Sequence, residues 1–323
     1  MKILVAYDGS ESSDAAINNL PLAGLPPDTE AVVLSVLDDR ASDDASRVET
    51  EVKAGAGRGD ARERQLEVAG RGVDRLLTFF PTWSVTPEVR VGSPAWEIIK
   101  RAEGEGDAAV APRFDLVVAG SRGLGEFKRM LLGSVAHRLV TTLRGSVRVS
   151  RGTAERVTMP AGGGSIAPPR LVVGVDGSPD SDAAVEAVAS RRWPAGTQII
   201  VATFETGVVA IASQLEPATI WTGAPTPVDA PATASRPAIR FVTDAAEVLR
   251  RRCHDALVMT LVRPADPKYG LLGAAEAWDD DGADCIFVGA KGARGIERFL
   301  LGSVSTSVAM NATCSVEIVR CKA

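Results

Sequence analysis

Two segments of this sequence combine the residue types that bind anions. Gly120-Ser-Arg-Gly123 is followed, after nine intervening residues, by Gly133-Ser134, and Gly289-Ala-Lys-Gly292 is followed after the same interval by Gly302-Ser303. An apolar run precedes each, Leu116-Val-Val-Ala in one and Cys285-Ile-Phe-Val in the other, and reads as a buried strand. A helix-like stretch begins at each serine. Where a strand ends in glycines and opens onto a helix N-terminus, backbone N–H groups can surround an anion. Glycine permits positive φ and close approach, and the helix dipole favours negative charge. A chain of phosphates is the natural occupant. The competing reading is that these glycines only make tight turns and helix starts. Two matches in equivalent places favour the anion.

Other residues fall around the same point. Asp8 ends the first strand of the chain and Asp176 ends its counterpart in the second half. Each carboxylate could accept from a base amine or a ribose hydroxyl, or could cap the helix that follows. Ser178-Pro179 already supplies a helix cap with proline in the first helical position, which leaves Asp176 for a ligand. Val36 lies near the end of the second strand, where backbone atoms could read an adenine edge, and Phe204 holds the matching place in the second half. Ser134 and Ser303 read as N-cap hydroxyls, as phosphate ligands, or as both, with Val135 and Val304 next in each helix. Arg122 and Lys291 could neutralise phosphate charge. His137 is matched by Thr306, so it reads as a helix-face residue rather than part of a shared chemistry.

Other nucleotide motifs fail. Gly120-Ser-Arg-Gly-Leu-Gly125 has Walker-like glycine spacing, but Glu126-Phe127 stands where Lys-Ser/Thr is required. Gly55-Ala-Gly-Arg-Gly59 sits in a polar stretch rather than after a strand. No acid–base pair or nucleophile–histidine pair recurs in both halves.

The elements that must position these residues alternate between strand and helix. Strands are expected at Ile3–Tyr7, Ala31–Leu37, Val85–Val91, Phe114–Ala119 and Val147–Ser150, with helices at Ser13–Leu20, Ala61–Phe80, Pro94–Ala102 and Ser134–Leu143. In the Ala61–Phe80 helix an apolar stripe of Leu66, Ala69, Val73 and Leu76-Leu77 should face the core; in the next, Trp96, Ile98 and Ile99 are the apolar positions. Asp38 to about Asp60 reads as a polar, mobile loop, and Glu205–Pro237 as an irregular one in the second half. Such alternation builds a doubly wound parallel sheet.

The pattern then starts again. Asp176 stands 168 positions after Asp8 and Gly289 stands 169 after Gly120. Leu131-Leu-Gly-Ser-Val recurs as Leu300-Leu-Gly-Ser-Val. The expected organisation is therefore a duplicated α/β fold: two tandem Rossmann-like doubly wound domains over residues 1–152 and 170–323, each with a five-stranded parallel sheet, joined by a Gly- and Pro-rich linker over 153–169.

Composition restricts the class. In 323 residues, 45% are hydrophobic and 24% charged, the net charge is −5 and only 5% are aromatic. A nucleic-acid surface, with its basic face and stacking rings, is not expected. Four cysteines without a C-x-x-C and two histidines make neither a zinc framework nor a disulfide scaffold. Cys285, inside an apolar strand, reads as core. The chain opens directly in a strand, with no leader-like segment and no apolar run of membrane length, so a cytoplasmic location away from membranes is expected.

With these residues in view, the sequence resembles the universal stress protein family in its tandem form, over nearly the whole chain apart from the linker and the two variable loops. The resemblance implies that the ATP-binding branch is the relevant one. Its motif glycines and serine hold phosphates, which maps onto Gly120, Gly123, Gly133 and Ser134, and onto Gly289, Gly292, Gly302 and Ser303. Its strand-one Asp and strand-two end meet adenosine, which maps onto Asp8 and Val36, and onto Asp176 and Phe204. The bulkier Phe204 either stacks on the base or intrudes on its space, and intrusion is the expectation. The resemblance further implies ATP, with Mg, as the ligand of a stress-response or signalling module. A slow ATPase or autophosphorylating protein and an interaction protein with vestigial pockets are the alternatives. Family members often pair through their fifth strands, so the two halves are expected to form a pseudo-dimer within one chain, and a homodimer of chains is open as well.

Overall fold

Each half of the chain folds as the alternation requires. The computed structural model describes residues 1–38, 58–104, 114–121, 132–151, 167–206, 234–278, 282–292 and 301–321. They fall into two units, Met1–Leu20 with Pro26–Arg151, and Pro21–Leu25 with Gly152–Ala323. In the first unit the elements run β1 (Lys2–Ala6), α1 (Glu11–Asn18), β2 (Glu30–Leu37), α2 (Arg58–Phe79), β3 (Ser84–Val91), α3 (Pro94–Glu103), β4 (Leu116–Gly120), α4 (Ser134–Thr142) and β5 (Val147–Ser150). The strands lie in the order β3-β2-β1-β4-β5, each pair parallel. In the second unit they run β6 (Arg170–Gly174), α5 (Pro179–Ala189), β7 (Gln198–Glu205), α6 (Arg236–Arg252), β8 (Leu257–Pro264), α7 (Pro267–Glu276), β9 (Cys285–Gly289), α8 (Ser303–Asn311) and β10 (Ser315–Val319). Their order is β8-β7-β6-β9-β10, again parallel throughout.

This order explains where a ligand can sit. β1 pairs with β2 on one side and β4 on the other, so successive crossovers leave β1 in opposite directions. A crevice then opens beyond the carboxyl ends of β1 and β4, and by the same logic beyond β6 and β9. The central strands are buried on both faces: Ile3, Leu4 and Val5 in β1, and Cys285, Ile286 and Phe287 in β9, are inaccessible to solvent. Cys285 is core, as its apolar neighbours imply.

Two helical stripes differ from expectation. On α2 the buried positions are Ala69, Gly72 and Leu76, while Leu66 is 47% exposed. Gly72 was invisible to a search for apolar residues, yet a methyl there would fall 2.9 Å from Val33 and 3.0 Å from the Tyr7 ring. Glycine lets α2 lie close on the sheet. On α3, Ile98 and Ile99 are buried, but Trp96 is 44% exposed and packs under the Arg138 guanidinium, 5.4 Å from the ring centroid. The Asp38–Asp60 loop and the Glu205–Pro237 loop fall mostly outside the described residues.

Candidate functional site

The second unit shows the site from its first turn onward. β6 leads into Asp176-Gly177-Ser178. Gly177 takes φ +75°, a conformation that L side chains rarely adopt. Asp176 Oδ1 accepts the N–H of Ser178 at 3.0 Å, which closes the turn. Ser178 Oγ accepts the N–H of Ser181 at 3.2 Å, capping α5, and donates to the carbonyl of Lys291 at 3.1 Å. The cap therefore also ties the strand-one turn to the glycine-rich segment after β9. The first unit repeats the turn: Gly9 has φ +76°, Asp8 Oδ1 accepts from Ser10 N–H at 3.0 Å, and Ser10 Oγ caps α1 through Ser13 N–H at 3.2 Å. Serine, not aspartate, caps both helices, as the Ser178-Pro179 pair indicated.

The motif glycines have different jobs. A methyl on Gly289 would fall 2.6 Å from the backbone nitrogen of Ser181, and one on Gly120 would fall 2.6 Å from the carbonyl oxygen of Ser12. These two glycines let the first helix of each unit pack against a strand end. Gly292 faces inward instead: a methyl there would lie 2.6 Å from Asp176 Oδ2. Gly302 and Gly133 are the N-cap residues of α8 and α4, and no side chain caps either helix. Ser303 and Ser134 are thus the first helical residues, one place later than an N-cap. With glycine at the cap, the cap residue itself offers no side-chain oxygen to the first-turn N–H groups of α8 and α4. Gly302 N–H reaches Ala290 O at 2.7 Å and Gly133 N–H reaches Ser121 O at 2.6 Å, so each helix start is folded back beside its strand end.

Asp180 lies in the first turn of α5, and no motif pointed to it. Its two oxygens accept the N–H groups of Lys291 and Cys321, both at 2.9 Å. The carboxylate staples the segment after β9 to the end of β10. It also means that the Lys291 N–H is already engaged by the protein.

These pieces border a cleft of about 700 Å³ in the second unit. Asp176, Phe204, Gly289, Lys291, Gly292, Gly302, Ser303 and Val304 all line it. Phe204 reaches the cleft from the end of β7. Its ring rests against Gly270 of α7, where a side chain would otherwise lie. Phe241 of α6 also lines the cleft, and no motif pointed to it; its only signal is the glycine of the Asp-Gly-Ser turn, against which the ring packs.

In the first unit Asp8 closes its turn after β1, Val36 lies in β2 opposite Arg90 of β3, Gly120 ends β4, and Gly133, Ser134 and Val135 open α4. Arg122 and Gly123 lie outside the described residues. His137 is an exposed position on α4. No helix among the described residues is long and apolar enough to cross a membrane.

The sequence model of the universal stress protein family matches residues 1–151 and again residues 169–320. A universal stress protein of Mycolicibacterium smegmatis is 30% identical over 205 residues, which is 64% of this chain, and the match spans 61% of that relative's own length. Among solved structures, a universal stress protein from Archaeoglobus fulgidus DSM 4304 is 19% identical with a TM-score of 0.58, covering 99% of this chain and 98% of its own. A functionally unknown protein from Pseudomonas aeruginosa PAO1 is 13% identical with a TM-score of 0.52, covering 99% and 92%. At those identities the structures establish the fold, and the sequence match establishes the family. With the strand-end turns, the glycine-capped helices and the repeat that carries them, the chain belongs to the universal stress protein family, with two tandem copies of its domain.

Proposed function

We propose that the chain binds an adenine nucleotide, ATP, in the strand-end clefts of its units and acts as a stress-response module whose state follows nucleotide occupancy. One observation carries the reading. α8 starts at a glycine cap that supplies no side-chain oxygen, and that start lines a cleft together with Lys291 and the Asp176 carboxylate. Helix N–H groups and a cation suit phosphates, while a carboxylate suits the donors of a ribose or a base amine. The volume is in the range of small-molecule sites. In the first unit Asp8, Val36, Gly133 and Ser134 stand in the corresponding places.

No group of three or more His, Cys, Asp or Glu side chains gathers to hold a metal among the described residues. A magnesium ion would therefore take most of its ligands from phosphates and water, the usual arrangement with nucleotides. An unpaired fifth strand would leave an open sheet edge, and such edges are ordinarily covered, so pairing of the halves through these strands is part of the proposal.

Chromatography and mass analysis of what co-purifies with the chain, followed by calorimetric titration of ATP into stripped protein, test the reading. Adenine nucleotide should be present and ATP should rebind. A stripped chain that binds neither ATP nor any other nucleotide would return the clefts to vestigial status.

A further inference from the structure

The second cleft carries two aromatic rings, each placed by a glycine. Phe204 ends on Gly270, where a methyl group would fall within 2.6 Å of three of its ring atoms. Phe241 covers Gly177, where a methyl would fall within 2.9 Å of three of its ring atoms. In the first unit the repeat puts Val36 and Glu97 where the second has Phe204 and Gly270. Val68 and the Arg71 guanidinium stand over Gly9 where Phe241 stands over Gly177. The bulky ring and the missing side chain thus occur together in one unit, and neither occurs in the other.

The two rings are also linked mechanically. Glu205 follows Phe204, and its Oε2 accepts the N–H of Ser235 at 2.9 Å. Ser235 Oγ in turn accepts the N–H of Ala238 at 3.2 Å and caps α6, the helix that carries Phe241. The strand bearing one ring therefore anchors the helix bearing the other, and such preorganisation favours binding.

Resting on the nucleotide reading of this cleft, we propose that it is a nucleobase clamp. Phe204 and Phe241 determine its specificity for a planar heteroaromatic ring, and Gly270 is the positioning residue that keeps Phe204 withdrawn so the ring can enter. The ligand class is a purine nucleoside or nucleotide, held mainly by its base. A polyphosphate without a base is a weaker ligand here than the whole nucleotide. The first unit, where Val68 and Arg71 stand over Gly9 in place of a ring, depends more on phosphates.

Calorimetric titration of the full chain with ATP, adenosine and inorganic tripolyphosphate tests this. Adenosine should occupy one class of ATP sites, and tripolyphosphate should not displace it. Gly270→Ala should weaken that class at least about tenfold by pushing Phe204 into the cleft, as overpacking displaces side chains. Alanine suits a helix better than glycine, so the variant should stay folded. Adding Phe204→Val to Gly270→Ala should restore most of the affinity, a rescue that general destabilisation would not give. Phe241→Leu should weaken the same class about fivefold through lost stacking. If Gly270→Ala and Phe241→Leu both bind ATP as the wild type does, the clamp is wrong and the nucleotide reading survives. If the wild type binds no nucleotide, both are wrong.

Discussion

Among single residues, the glycines of one motif separate into packing glycines and site glycines. Gly289 has the backbone of α5 against it, and backbone cannot swing aside, so Gly289→Ala should cost about 1–3 kcal/mol in chemical denaturation. Gly292 has, among the described residues, only the end of the Asp176 side chain against it. Gly292→Ala should leave stability within about 0.5 kcal/mol. It should instead weaken ATP at the second site, by moving the carboxylate, with titration as the readout. Equal loss of stability in both variants would contradict the distinction. The spacing of these glycines was legible in the sequence. Their division of labour was not, because the partner of Gly289 lies about 110 residues earlier in the chain. The seat of Phe204 was out of reach for a related reason: its bulk is local, but the glycine that accommodates it lies on another helix.

Secondary-structure elements were the most legible level. Alternation, apolar runs and glycine breaks located the strands and helices of the first unit to within a few residues. What failed were faces, where a large apolar residue such as Leu66 or Trp96 was taken to point inward and a glycine such as Gly72 was not. Charged contacts between elements were also out of reach. Glu88 on β3 is bonded by Arg101 of α3 at 2.6 Å and by Arg90 at 3.0 Å. Burial alone would raise its pKa, but the two guanidinium groups outweigh it and hold the carboxyl below its ordinary value of 4.5. A depressed carboxylate contributes stability that is fully present above that ordinary value and is lost as pH falls through the depressed one. Glu88→Gln should therefore lower stability at neutral pH by about 1 kcal/mol. The wild-type advantage should shrink in denaturation curves taken near pH 3, below the unfolded-state pKa of such groups. An advantage that persists undiminished at that pH would mean packing, not charge, holds β3 to α3.

Over the whole molecule, duplication is what made the chain readable, since each unit serves as a control for the other. If the halves pair through their fifth strands, fragments 1–152 and 170–323 produced together should co-sediment as a one-to-one complex; fragments that migrate independently would remove that pairing from the proposal. The same comparison between units bears on how such a site can change. From a Val and Glu pair like Val36 and Glu97, installing phenylalanine first drives a ring into a helix that still bears a side chain. Installing glycine first opens a groove, and the ring can then fill it. Glycine before phenylalanine is the order that keeps the cleft open at every step. Once the ring is seated, Gly270 can no longer mutate back without a clash, so the second site is entrenched by its own packing.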